Sequence, residues 1–562
     1  MHFVMTLHSH LPWVLNHGRW PHGSDWLCEA AVDTYLPLLE ALRSLEKGGV
    51  VAPVTLGITP VLANQLASPD FRRELEAFVE QRLKACQEAP TSLRETGDED
   101  LLPLAEYWSK RLIRYRDLFR STGGDLLGAF RELAEKGRLE IISSAATHGF
   151  LPLLGREESV KLQLHVGASE HHRLFGSSPR GCWVPECAYR PHGEWDPIPG
   201  VSRRSVRPGV ESFLKEAGFR YFFMDTHMAE AGTSLGAYGD VPHGVERFDA
   251  EWHGVTEAGE GAGRRSPYQS FLVASQEGKN GVSAFVRDPR SSMQVWSRHH
   301  GYPGDEWYLE FHKIRWPGGL KLWRVTGPDL DLGAKVPYVP EEAQKRVLAH
   351  ASHFAWLLGE IQEEEGIGPE GVTMAPFDTE LFGHWWYEGV DFIREVYSAL
   401  PSVPAVIPVT ASEHLDSFPS RHVIRPLEGS WGANGDFSMW LSPETRWTWE
   451  RLWPLEDAFW SQAGRALGNE EKAPVLAQAA RQLLLAQSSD WQFMISTGAV
   501  PDYAERRFNL HCDDLEALLP ALSPDAPSRV VEEARALARS LDERDTLFPN
   551  VVDSVADVLG ES

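Results

Sequence analysis

Six short apolar runs in this chain give way to residues that can hold or move a proton. His8 and His10 follow "HFVMTL" (2–7), His148 follows "RLEIISS" (138–144), and Glu186 closes "GCWVPE" (181–186). Asp225 ends "RYFFMD" (220–225) just before His227, Arg287 and Asp288 end "GVSAFVRD" (281–288), and Asp378 ends "GVTMAPFD" (371–378) just before Glu380. Any one of these could be a hydrogen-bonded cap or half of a salt bridge. If the runs are parallel strands, however, the polar residues gather on one face, because the loops at the C-terminal strand ends converge there. Glu186 and Asp378 facing each other across such a mouth would suit exchange of a glycosidic bond. One carboxylate attacks the anomeric carbon, and the other protonates the leaving oxygen and later activates the acceptor, at a separation of about 5–5.5 Å.

The aromatic content agrees with a sugar ligand. The chain has 21 Trp, many beside Gly, Asp or His and outside Leu/Val runs. Trp26, Trp183, Trp296, Trp385 and Trp386 offer flat faces on which the C–H faces of sugar rings can stack; core filling is the alternative use of an indole. A zinc site built from "HSH" (8–10) with His148 and Asp225 is a competing reading of the polar cluster. It lacks the HExxH pattern and any fixed ligand spacing, and neither GxGxxG after a strand nor GxxxxGK[ST] is present. The expectation is no metal and no cofactor, with the histidines binding sugar hydroxyls.

These residues need a scaffold that presents strand ends together. The apolar runs above, with "VVAPVTLG" (50–57) and "VPAVIPVT" (403–410), alternate with helical-period stretches such as "DTYLPLLEALRSLE" and "GVDFIREVYSAL". That alternation predicts βαβ units around a parallel sheet, and seven or eight near-continuous apolar strands favour a barrel over an open sheet. Two excursions interrupt the rhythm, a charged helical one at 67–136 and one rich in Arg, Pro and Gly at 187–219. The stretch 255–269 reads as a loop by composition. The expected division is a barrel from 1–186 and 226–425, a small inserted domain at 187–225 and a helical domain at 426–562, where Trp-dotted helices replace the alternation.

With 562 residues the chain exceeds a single core. A formal charge of −26 argues against nucleic acid and anionic membranes as partners, and it does not oppose a neutral sugar. Five scattered cysteines suit a reduced, cytoplasmic protein. No apolar stretch approaches the ~20 residues of a membrane span, and the apolar start lacks the basic flank of a signal peptide.

The stretches "HSHLPW" (8–13), "GRLEIISSAATHGFLPLL" (137–154), "WVPECAYRP" (183–191), "APFDTELFGHWWYEG" (375–389) and "LLLAQSSDWQF" (483–493) resemble glycoside hydrolase family 57, and within it the 1,4-α-glucan branching enzymes. The resemblance implies an α/β fold, a distorted (β/α)7 barrel with a small inserted domain and a C-terminal α-helical domain. It also implies a metal-free retaining double displacement, with Glu186 as nucleophile and Asp378 as general acid/base. The substrate would be an α-glucan such as amylose or glycogen, bound by a monomer through His8, His10, Trp26, His148, Tyr238, Arg287, Trp296, Trp431, Trp440 and Asp490. Where the family motifs usually carry Gln, this chain has Leu11 in one and Arg138 in another.

Two expectations concern loops. Trp431 and Trp440 lie in the Gly-rich "GSWGANGDFSMWLSPET" (429–445) and are expected to line the glucan groove, whereas Trp453 and Trp460, on helices, are expected to pack inside. Tyr238, in "AEAGTSLGAYGDVPHG" (229–244), is expected on a loop that covers the site and excludes water. The rival activities are a 4-α-glucanotransferase, an α-amylase, a non-catalytic glucan-binding protein and a zinc-dependent deacetylase.

Overall fold

The computed structural model describes residues 1–237, 265–276, 281–296, 301–327 and 329–560. Tyr238 and most of the 255–269 stretch lie outside the described residues. Among the described residues, seven parallel strands build the core: β1 (His2–Ser9), β2 (Val54–Ile58), β3 (Leu139–Ser144), β4 (Gly181–Trp183), β5 (Tyr221–Met224), β6 (Val282–Val286) and β7 (Val372–Asp378). They pair in the order β7-β1-β2-β3-β4-β5-β6. The circle closes between Arg287 and Met374, where the Asp288 amide donates to the Met374 carbonyl at 2.9 Å. One bridge at the end of β6, against seven residue pairs between β1 and β7, makes the barrel markedly uneven. It is a distorted (β/α)7 barrel.

The composition of the strands follows from this closure. Seven of the eight residues of β1 and all five of β2 are buried, because helices cover one face and the barrel interior the other. The covering helices carry apolar residues on one side only. The helix Gly389–Ala399, for example, buries Val390, Phe392, Ile393, Val396 and Tyr397. The run 403–410 contributes a two-residue ladder beside β1, Ile407–Pro408, and no further barrel strand. Pro404 and Pro408 withhold the amides that a longer strand would need.

The excursion 67–136 is helical, with Pro69–Thr96, Leu102–Ser121 and Leu126–Glu135. The expected insertion at 187–225 needs correction at its end. A short antiparallel hairpin, Gly193–Trp195 with Ser205–Arg207, is the extra element, but Tyr221–Met224 is a barrel strand hydrogen-bonded to both β4 and β6. After residue 445 come six helices among the described residues, from Arg446–Ala466 to Val551–Leu559. Trp453 and Trp460 are buried, and their indole N–H groups donate to the Leu153 carbonyl and the Ser159 hydroxyl of the barrel, both at 2.9 Å. The five cysteines are unpaired and buried. No described helix is long and apolar enough to cross a membrane.

Candidate active site

β4 ends at Trp183, and the chain turns through Pro185–Cys187 in a single tight turn. Glu186 therefore stands just past the strand with φ 59° and ψ 21°, a left-handed conformation that costs a non-glycine residue about 1–3 kcal/mol. Neighbouring backbone holds it there. The Cys187 amide donates to the Val184 carbonyl at 2.9 Å, and the Trp431 amide donates to the Glu186 carbonyl at 3.0 Å. The carboxylate is equally constrained: Oε2 accepts from the Trp431 indole N–H at 2.8 Å, and Oε1 lies 3.4 Å from the Ser489 hydroxyl and 3.7 Å from His148 Nδ1. A side chain only 16% exposed and fixed at both oxygens is held in one orientation, as an attacking group must be.

Asp378 ends β7, directly opposite His8 in the β1–β7 register. Burial first, and then the charge of Glu380, push its carboxyl up to about 7, against the opposing charges of His10 and Arg287. Burial also pushes Glu186 up to about 7; the Trp431 N–H opposes the rise, and the charges of Asp378 and Asp490 add to it. The Asp378 carboxyl is thus within Coulombic reach of Glu186. The indole N–H stabilises the anion at Glu186, and Glu380 favours the protonated form at Asp378. That division suits a nucleophile and a general acid.

The histidines form a wall beside this pair. His8 Nε2 lies 3.0 Å from His148 Nε2, and the His8 ring stacks on Trp183 at 4.6 Å. His148 Nδ1 bonds the Ser489 hydroxyl at 3.0 Å. Burial, reinforced by neighbouring histidines, lowers both His8 and His148 well below the ordinary imidazole value, so both are neutral donors or acceptors at pH 7. His10 bridges Asp490 (Nε2 to Oδ2, 2.9 Å) and Thr59 (Nδ1 to Oγ1, 3.0 Å). Burial would raise Asp490, but His10, His148 and the Ser488 hydroxyl together outweigh it and hold that carboxyl below its usual value. The His10 amide also donates to Glu380, which accepts a short hydrogen bond from the Tyr35 hydroxyl. Tyr35 belongs to a π-helical turn, Ala31–Tyr35, spliced between two α-helices, a feature often found at functional sites.

Several other expected residues cluster here. Arg287 pairs with Asp225 at 3.3 Å and lies 5.8 Å from the Trp296 ring, which in turn packs 5.7 Å from Trp431. The buried Trp296 indole N–H has no partner among the described residues. Trp26 is half-buried, with His22 against its ring at 6.1 Å, and makes no contact with the carboxylate pair. Trp440 departs from expectation. It is 1% exposed, stacks on Phe150 at 4.5 Å, and its carbonyl accepts from the Trp449 indole at 2.8 Å, so it fills the core beneath the 429–445 loop. Trp440→Ala is accordingly expected to destabilise by roughly 3–5 kcal/mol, read as a lower urea midpoint, while KM for amylose stays unchanged. Glu380 was expected at the strand ends without an assigned role, and Ser489, Thr59 and Tyr35 were not among the expected site residues. Ser489 neighbours Asp490 in a quoted stretch and Glu380 follows Asp378 by two residues; Thr59 and Tyr35 gave no sequence signal.

Replacing Trp431 by Phe removes the donor that favours ionised Glu186, so the Glu186 carboxyl rises further. The nucleophile must be ionised to attack, so the acidic limb of the kcat/KM–pH profile is expected to move up by about 1 pH unit. The basic limb, set by Asp378, should stay in place.

The cleft is that of a barrel enzyme with two carboxyls of raised proton affinity, one just past the end of β4 and the other at the end of β7. The sequence profile of glycosyl hydrolase family 57 matches residues 4–426, and that of the 1,4-alpha-glucan branching enzyme C-terminal region matches 456–555. The chain belongs to glycosyl hydrolase family 57. It is 39% identical over 555 residues to a 1,4-alpha-glucan branching enzyme of Thermococcus kodakarensis, a match covering 98% of this chain and 78% of that one. The crystal structure of a branching enzyme of the family from Pyrococcus horikoshii superposes with a TM-score of 0.85 at 37% identity, covering 99% and 96% of the two chains. An α-amylase from Thermotoga maritima gives 0.78 at 28% identity, with 99% of each chain covered.

Proposed function

We propose that this chain is a 1,4-α-glucan branching enzyme acting by a retaining double displacement. The observation that carries this reading is that the segment matching the branching-enzyme C-terminal region supplies Ser489 and Asp490 to the cleft, where they meet Glu186, His148 and His10. Glu186 attacks C1 of an α-1,4-linked glucose while Asp378 gives its proton to the departing O4. Asp378, now a carboxylate, takes the proton of an acceptor 6-hydroxyl, which displaces Glu186 and forms an α-1,6 bond. The neutral His8 and His148, and His10 fixed by Asp490, hold sugar hydroxyls at the bond being broken. Arg287, Trp296, Trp431 and Trp26 border the path of the glucan. The barrel and the helical region after residue 425 act as one monomeric unit on glycogen-type polymer in the cytoplasm, without metal or cofactor.

The likeness to an amylase keeps water as the rival acceptor. Linkage analysis of amylose incubated with purified protein separates the readings: new α-1,6 bonds with almost no new reducing ends support branching. Reducing ends alone would make it an amylase, and longer and shorter linear chains without branches a 4-α-glucanotransferase.

A further inference from the structure

On the outside of the barrel, away from the carboxylate pair, the helices Leu36–Lys47, Leu102–Ser121 and Gly389–Ala399 enclose a cavity of about 140 Å³. Its lining is polar and basic. Arg111 is stacked between two aromatic rings, with its guanidinium carbon 4.7 Å from the centre of Tyr115 and 4.4 Å from that of Tyr387. Arg114 and Arg394 line the same space. Arg114 is paired with Glu40, and Arg394 with Asp391 and Glu395. Arg111 has no ion pair with any described residue. Among the described residues its one hydrogen bond is a long contact of 3.4 Å from Nη1 to the Tyr115 hydroxyl, and its buried Nε–H has no partner. The Tyr107 and Tyr387 hydroxyls, 2.6 Å apart, stand at the same wall and add further polar groups.

A guanidinium stays charged at any physiological pH and can only donate, so what satisfies it must be rich in acceptors. Stacking between two rings fixes its plane and leaves the N–H edge free for a forked contact. Of the three arginines at the cavity, Arg114 and Arg394 are matched by the carboxylates of Glu40, Asp391 and Glu395, which leaves Arg111 as the one without an ion pair to a described residue. A half-buried cation with no ion pair, next to open space, selects an anion over a neutral sugar, since desolvating it with an uncharged ligand leaves the charge unpaired. We propose that this cavity is a binding site for a phosphate group, free or as a phosphate monoester, with Arg111 as its principal ligand and Arg114 and Arg394 at its rim.

Calorimetric titration of the full chain tests this, with inorganic phosphate in one arm, a hexose 6-phosphate in a second and maltose in a third. Saturable binding of either phosphate is expected, weakened at least tenfold by Arg111→Met; the tighter of the two arms identifies the source. Because Arg111→Met could disturb packing of the tyrosines, Ser44→Tyr at the exposed rim is the second variant. It leaves every arginine in place, narrows the mouth, and should weaken phosphate to a similar degree. Absence of saturable phosphate binding, equal binding in a folded Arg111→Met protein or in Ser44→Tyr, or binding of maltose alone at this cavity would overturn the assignment.

Discussion

Glu186→Gln is expected to abolish branching, lowering kcat on the order of 10⁴-fold or more, because no covalent intermediate can form without the attacking oxygen. The substitution is nearly isosteric. The glutamine carbonyl can still accept from the Trp431 indole, so the backbone turn at Pro185–Cys187 and its bond from the Trp431 amide should persist. Thermal unfolding should therefore stay near that of the parent, or rise slightly, since a buried carboxylate within reach of Asp378 and Asp490 is replaced by a neutral group. A kcat within tenfold of the parent would remove Glu186 from its role.

Asp378→Asn should lower kcat on amylose by about 10²–10⁴-fold, the range for loss of a general acid/base. The loss should depend on the substrate in a way that Glu186→Gln does not. An α-glucosyl substrate with a good leaving group needs no proton for the first step, so the variant should form the intermediate at a near-normal rate and then stall, because the acceptor hydroxyl has lost its base. Its pH dependence should change as well. With the Asp378 charge gone, the Glu186 carboxyl loses one cause of its elevation and titrates lower, so the acidic limb for intermediate formation should move down and the basic limb should disappear. Pre-steady-state release of the leaving group across pH 5–9 measures both. Equal losses on activated and ordinary substrates would show that Asp378 only shapes the cleft.

Much of this geometry was legible in the chain. Each barrel strand overlaps a predicted apolar run, because strands buried on both faces tolerate almost no polar interruption and so leave a local signature. Glu186 and Asp378 stood out for the converse reason: they are acids where such runs end. What local pattern could not show is which distant hydroxyls meet those acids. Thr59, Tyr35 and Ser489 are ordinary residues in their own segments, and Ser489 reaches Glu186 across 303 positions of sequence. Trp440 was misplaced because a Gly-rich loop suggested exposure. The loop in fact folds back on itself, with the Ser430 amide donating to Gly435 and the Trp440 amide to Phe437, which turns that indole onto Phe150. The 187–225 bound overran its own signal: the polar excursion ends at 219, and the apolar run "RYFFMD" that follows forms the strand Tyr221–Met224, paired with neighbours on both sides.

The account rests most heavily on Glu186 as the residue that carries the glucosyl group between donor and acceptor. The most direct measurement is mass spectrometry of peptides from Asp378→Asn protein, mixed with an activated α-glucosyl fluoride and quenched in acid within the first turnover. The account predicts a hexose adduct on the peptide containing Pro185-Glu186-Cys187, absent when Glu186→Gln is added. An adduct on a peptide containing Asp490 or Glu380 instead, or release of product with no adduct on any peptide, would contradict it.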